Sequence, residues 1–367
     1  MKKTVILGFV LTLMVFGTAI GNDSLNVRFV GNWPFGPSHA VAYDSSRQLA
    51  FCGSGGGLYI LDVSDPTEPR SIAEPVQTRG LVNGLFYESS TQRLYIAGGD
   101  IGLEVWDIST PANPAKLGGC IILDYAHGVV VQGRYAYMAA DDAGLVVIDV
   151  SNPANPHEVG RCETPDDALG VAVSGQYAYV ANYDEGLRII DVSNPSGPYE
   201  VGYCETPGYA CDVALSAWFA YVADGGYGGL RIINVSDPAN PREIGYYETE
   251  EEALGVAVSG WHVYIADSYD GLRIIDVSNP AEPLELGYCE TPGYACSVMI
   301  AGQYAFVADD DEGLRIVDVS DPRGPHEVGY CETPDEALDV AVSGQYAYVA
   351  DSDEGLRIID VSDPQNP

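Results

Sequence analysis

The sequence predicts an all-β fold, an eight-bladed β-propeller of four-stranded antiparallel blades whose ring is closed by an N-terminal strand completing the last blade. Three observations predict it. The string Gly-Leu-x-x-x-Asp/Asn-Val/Ile-Ser-x-Pro-x-x-Pro begins at Gly57, Gly102, Gly144, Gly186, Gly229, Gly271, Gly313 and Gly355, a spacing of 42 to 45 residues. Each period holds four short runs rich in β-branched and aromatic residues, divided by Gly, Pro, Asn and Asp, with no helical periodicity. The last repeat stops at Pro367, where earlier repeats begin a fourth strand, and residues 27–33 (VRFVGNW) read like the fourth-strand text at 156–162 (PHEVGRC). About 42 residues per four strands is the size of a propeller blade, which buries both faces only between two neighbours.

The elements follow in chain order. Lys2 and Lys3 precede an apolar run from Val5 to Ile20, and the small residues Ala19 and Gly21 before Asn22 fit a cleavage site, so 1–21 reads as a secretory signal peptide. The alternative, an uncleaved anchor, has a run short of the roughly 20 residues a spanning helix needs and no second basic flank. No Cys follows within reach of a lipoprotein cleavage site, the first being Cys52. Residues 22–367 then form one domain, expected as an exported, soluble monomer in the periplasm, in the medium or at the cell surface, with no membrane insertion after cleavage. Residues 25–33 supply the closing strand, and the alternative is a chain that continues past Pro367 and supplies its own. The fourth repeat shows the pattern of a blade: inner strand 168–174, hairpin Gly175-Gln176, second strand 177–181, an acidic loop, third strand 187–192, a Pro-bounded turn and outer strand 199–204. Asp149, Asp191, Asp276, Asp318 and Asp360, with Asn234 in the same slot, end the third strand, where a side-chain oxygen can accept backbone N–H bonds and fix the turn. The prolines that follow, such as Pro153 and Pro156, suit an edge strand, which tolerates a missing N–H.

Charge removes whole classes of function. The 367 residues carry 17 Lys and Arg against 53 Asp and Glu, a formal net charge of −36. Lys2, Lys3 and Lys116 are the lysines, so there is no basic face to neutralise phosphates, and nucleic acid is excluded as a partner. Anionic membrane surfaces are disfavoured for the same reason, and a cationic partner or bound metal ions are favoured.

The text from Gly186 to Pro195 (GLRIIDVSNP), preceded by 177–181 (YAYVA), resembles the LVIVD-repeat family of exported and surface β-propellers, and the resemblance covers nearly all of residues 22–367. It implies a propeller at or beyond the cell surface that acts in binding or adhesion to an extracellular protein or glycan. It carries over no catalytic residue.

Residues that break the repeat are the candidates for function. On the face formed by the inter-blade and second-to-third-strand loops, acidic runs recur, including Asp309-Asp310-Asp311-Glu312 and Asp351-Ser352-Asp353-Glu354. Asp309, Asp311, Asp351 and Asp353 are the candidate Ca2+ ligands, since calcium takes several oxygens at once; no EF-hand loop is present, so loops of neighbouring blades would have to cooperate. A merely solvated acidic face and a cationic partner are the other readings. At the mouth of the central channel, one position per blade reads His39, Asn83, His127, Leu169, Cys211, Leu254, Cys296 and Leu338, and the next position gives Asp212 and Asp339 where others have Gly, Ala or Ser. His39, Asn83, His127, Asp212 and Asp339 are the ligand-binding candidates there, for a small polar molecule. His39 and His127 sit two blades apart, too far to share a tetrahedral zinc ion. On the opposite face the Gly-Gln hairpin becomes Ala217-Trp218 and Gly260-Trp261, two adjacent turns offering indoles for a protein hot spot or a sugar ring.

Eight cysteines in an exported chain would allow four bridges, but Cys120, Cys162, Cys204, Cys289 and Cys331 share one outer-strand slot in different blades. Equivalent slots lie beyond the roughly 7 Å Cα limit of a disulfide, so buried free thiols are expected. No nucleophile-elbow, zincin, Walker or Rossmann string is present. A non-catalytic binding scaffold is therefore the leading expectation; the alternative is a hydrolase or lyase acting at the channel mouth on a small polar or saccharide substrate.

Overall fold

A computed structural model describes residues 24–25, 28–33, 40–44, 46–54, 57–64, 70–73, 76–78, 80–122, 124–333, 336–351 and 355–362. The leader expected over 1–21 and the candidates His39 and Asp353 lie outside them. The described residues contain no helix and fold into eight antiparallel sheets arranged as the blades of a propeller. Blade 4 is typical: Gly170–Ser174, Tyr177–Ala181, Leu187–Asp191 and Tyr199–Cys204 pair in sequence order from the channel outward. Alternate residues of a strand face opposite ways. Tyr179 and Ala181 therefore pack towards blade 5, while Ala178 and Val180 pack towards blade 3.

Burial closes the ring. Each of the eight spaces between neighbouring blades holds one apolar cluster built from both sides. That between blades 8 and 1 joins Tyr348, Leu356 and Ile358 to Val41, Ala50 and Leu61. The inner strand Ala40–Asp44 of blade 1 contacts both Gly84–Glu88 of blade 2 and Ala337–Ser343 of blade 8. Strand Arg28–Trp33 lies antiparallel beside Gly355–Asp360, with Arg28 opposite Asp360 and Trp33 opposite Leu356. Blade 1 departs from the pattern at its rim, where two short strands, Arg70–Ser71 and Val76–Gln77, take the place of one.

The signature residues have local tasks. In all eight repeats the Asp or Asn ending the third strand accepts the N–H of the Ser two residues on, as in Ser193 N to Asp191 Oδ1 at 2.8 Å and Ser236 N to Asn234 Oδ1 at 2.9 Å. The prolines do more than begin an edge strand. The outer strand is bulged at a glycine, and a β-carbon on Gly202 of blade 4 would lie 2.3 Å from Pro238 O and 2.7 Å from Pro241 Cδ of blade 5. Gly118, Gly160, Gly245 and Gly287 meet the proline pairs of the next blade in the same way. The Gly of one repeat and the Pro-x-x-Pro of the next form a latch between blades.

All eight cysteines are thiols outside any disulfide, and two, Cys52 and Cys331, are buried. The other six are half-buried, which corrects the expectation of mainly buried thiols. In the shared outer-strand slot Cys331 is sealed in the cluster between blades 7 and 8, while Cys120, Cys162, Cys204 and Cys289 pack at the edges of theirs. Burial there still pushes the Cys120, Cys162, Cys204 and Cys289 thiols above their usual range.

Candidate functional site

The inner strands of the blades enclose a cleft of about 340 Å³ in the channel, lined in part by Asn83, His127, Asp212 and Asp339. Four of the five channel candidates thus share one cavity. His127 Nε2 lies 2.5 Å from Asp141 Oδ1 of its own blade, and its ring meets Tyr125 edge-on at 5.2 Å. Asn83 Nδ2 donates to Ala126 O at 2.9 Å, which ties blade 2 to the entry of blade 3.

Asp212 and Asp339 occupy the position that is glycine in several other blades. A β-carbon on Gly84 or Gly255 would come within 2.8 or 3.0 Å of the carbonyl of the next inner strand, so those blades have no room for a side chain. In blade 5 the carboxylate reaches across the gap instead. Asp212 accepts from Val213 N at 2.8 Å and from Val256 N of blade 6 at 3.2 Å. Asp339 accepts from Val340 N at 2.9 Å and lies 3.4 Å from Ser297 Oγ of blade 7, with a further backbone bond from Val41 of blade 1. Both carboxyls face the channel in the middle of the ring, where protein replaces most of the surrounding water. That desolvation raises both above the usual carboxylate range, and the charge of Asp212 adds to the rise at Asp339.

The acidic face is built in two layers. Asp309 is fully buried: it accepts from Thr291 Oγ1 and from Gly293 N at 3.0 Å, and Arg315 Nε lies 3.5 Å away. Asp351 is equally buried, with Arg357 Nε at 2.7 Å. Asp224 repeats the arrangement in blade 5 with Thr206, Gly208 and Arg231. Burial pushes the Asp309 carboxyl up to about 6 despite these bonds. Asp311, by contrast, is exposed. Among the described residues no group of three or more His, Cys, Asp or Glu side chains is placed to hold a metal ion.

Trp218 and Trp261 project from the hairpin turns of blades 5 and 6, 66% and 68% exposed. They do not fold down onto their own blades. Sequence reasoning missed the tyrosines on the acidic face of the same sector. Tyr183 and Tyr209 stack at 4.7 Å with planes 9° apart, and Tyr269 meets Tyr294 at 4.9 Å. Tyr227 stands at the tip of a glycine-rich loop, 74% exposed and held at φ 75°, the left-handed region that a ring-bearing residue seldom occupies. The signal was present in the sequence: Tyr183 and Tyr269 stand where the same loops of blades 7 and 8 carry Asp or Ser, and Tyr209 and Tyr294 stand where Glu252 and Glu336 do.

Comparison with known proteins agrees with this architecture. A family model described as "LVIVD repeat" matches residues 49–74, 93–121, 124–164, 165–206, 207–249, 252–291, 292–333 and 335–367. Comparison with curated proteins finds no match by sequence. Among solved structures, Sqt1 of Saccharomyces cerevisiae is similar with a TM-score of 0.76 at 10% identity, covering 92% of this chain and 99% of that one. The computationally designed Ika8 protein is similar with a TM-score of 0.73 at 9% identity, covering 90% and 98%. At such identities the likeness is one of fold.

Proposed function

The chain belongs to the LVIVD-repeat family, and from that premise we propose that this β-propeller is an exported binding scaffold that holds a protein or glycan partner against blades 4 to 6 at the cell surface or in the periplasm. One observation carries the reading. Of the twelve large hydrophobic side chains exposed among the described residues, all but Leu81 and Ile121 fall between Tyr199 and Tyr288, in one sector whose hairpin face carries Trp218 and Trp261, whose acidic face carries Tyr209, Tyr227 and Tyr269, and whose outer strands carry the rest. A monomeric surface scatters such groups singly, whereas a concentration of Trp and Tyr marks an interaction surface. Rings set among carboxylates suit sugar faces whose hydroxyls need acceptors, and suit basic protein segments through cation–π contact and charge.

Indole fluorescence tests this directly. Cellohexaose, chitohexaose and maltohexaose are titrated against the protein and its Trp218→Ala and Trp261→Ala variants. In parallel, a photo-crosslinking residue at position 218 or 261 is exposed to the native cell envelope. A saturable shift lost by about tenfold or more in the alanine variants, or a single protein crosslinked from position 218 that a Trp261→Ala variant no longer captures, supports the scaffold. Neither result in any arm removes it.

A second reading, catalysis in the channel, is favoured by the cavity that brings together Asn83, His127, Asp212 and Asp339. Carboxyls raised by desolvation, in a cavity that an imidazole also lines, are suited to proton transfer on a small polar or saccharide substrate. Loss of turnover in His127→Ala with indole-dependent binding intact separates this reading from the first.

A further inference from the structure

Blades 4 to 7 share one arrangement on their outer walls. Arg188, Arg231, Arg273 and Arg315 of the third strands stand opposite Tyr203, Tyr246, Tyr288 and Tyr330 of the fourth. Each guanidinium lies under its ring, at 4.7, 5.0, 5.7 and 4.7 Å from the centroid. Each is also paired with a fourth-strand glutamate, as in Arg188 with Glu200 at 3.6 Å and Arg273 with Glu285 at 2.8 Å.

Blade 2 keeps the register and changes the chemistry. Glu104 stands where the arginine does, opposite Gly119 in place of the tyrosine. The ion pair is reversed in sign: Glu104, 2% exposed, accepts from Lys116, which fills the glutamate's place, and from Trp106 Nε1 at 3.0 Å. At the rim, Ile101 and Ile121 replace the Glu185 and Glu205 of blade 4, and Ile121 is 70% exposed. With no ring on Gly119, a cleft of about 500 Å³ opens over the ion pair. The Lys116 ammonium lies 3.8 Å from where a Gly119 β-carbon would sit, directly beneath the missing side chain.

These five differences act together: one aromatic ring is removed, its ionic floor is kept, and two charged rim positions become apolar. We propose that blade 2 binds a single phenol ring from outside, in the place that its sibling blades fill with their own tyrosine. The ring face rests on the Lys116 ammonium, its edges contact Ile101 and Ile121, and Asp100 at the mouth accepts from the hydroxyl. The net charge of −36 selects against carboxylated aromatics. A small phenol and the tyrosine of a partner protein carry the same chemistry. The site lies outside the aromatic sector of blades 4 to 6, so it stands or falls independently of that surface.

Saturation-transfer NMR and calorimetry with p-cresol, the tyrosine side-chain analogue, test the proposal on the full protein, with cyclohexanol as a ring of similar size lacking a π face. The expected result is saturable p-cresol binding, with cyclohexanol and the Gly119→Tyr and Ile121→Glu variants each weaker by about tenfold or more. A β-carbon at position 119 would come to 3.0 Å from Leu103 O, so Gly119→Tyr asks for a small shift of the strand. Ile121→Glu alters the exposed rim without that demand. No saturation by about 10 mM p-cresol, equal binding of cyclohexanol, or full affinity in folded Ile121→Glu overturns the proposal. A Gly-Gly-Tyr-Gly-Gly peptide binding about tenfold tighter than p-cresol assigns the ring to a partner protein, and equal or weaker binding assigns it to a free phenol.

Discussion

At the scale of single residues, the repeat is held by positions with very little freedom. Gly186 has φ 73°, and a β-carbon there would lie 2.5 Å from Cys204 O and 2.6 Å from Thr206 N. Gly175 has φ 63° with nothing within 4 Å. Both substitutions to alanine meet the left-handed backbone cost, and only the first also meets backbone atoms. Gly175→Ala is expected to destabilise by about 1 kcal/mol and Gly186→Ala by about 2 to 4 kcal/mol in denaturant unfolding; equal losses would place the cost in φ alone. What could be read from the sequence at this scale was whatever acts locally. The Asp191 carboxylate bonds two residues away, so its spacing to Ser193 discloses its task. Asp309 reads as part of an exposed acidic run because its partners come from elsewhere in the chain, Thr291 from the loop that enters the blade and Arg315 from the third strand.

At the scale of the blade, four strands and their turns were legible from alternation and turn residues, but the latch between blades was not. Gly202 and Pro238 are 36 positions apart, and each looks like a local breaker until the bulged outer strand of one blade is laid against the turn of the next. The channel was partly legible: a ring of equivalent positions can be aligned from text, while the reach of Asp212 to Val256 depends on the width of the gap. Gly202→Ala is expected to force blades 4 and 5 apart at the rim. Hydrogen exchange should then quicken in Tyr199–Cys204 and in residues 236–241, while Ala210–Ser216 at the channel keeps its protection. Uniform loss of protection across blade 4 would mean the latch supports the whole sheet.

At the scale of the whole molecule, two sets of carboxyls pull stability in opposite directions with pH. Bonds from Ser151 and Arg134 hold Asp149 down at about 2, and Asp62, Asp107, Asp191 and Asp276 are lowered chiefly by their own turn serines. Their contribution is present above the unfolded value near 3.9 and is lost as pH falls towards 2. Burial raises Asp212, Asp224, Asp267 and Asp339, and Asp309 to about 6. For these, the folded state binds more protons than the unfolded one, so stability falls as pH rises through the window from about 4 to 6. A net charge of −36 adds repulsion in the same direction. The melting temperature measured from pH 3 to 8 is therefore expected to peak between about 4 and 5. A maximum at 7 or above would show that the buried carboxyls are compensated by their arginines.

The reversed ion pair of blade 2 also fixes how the protein meets amine chemistry. Lys2 and Lys3 lie in the leader expected over 1–21, and Lys116 is the one other lysine in the sequence. Once a leader is removed, acylating reagents, ubiquitin-like conjugation and tryptic cleavage after lysine have a single ε-amine to act upon. That amine is held by the buried Glu104 at the floor of the open cleft. Its acylation rate is thus a gauge of whether the cleft is empty or filled, readable by mass spectrometry in a mixture and without any engineered label.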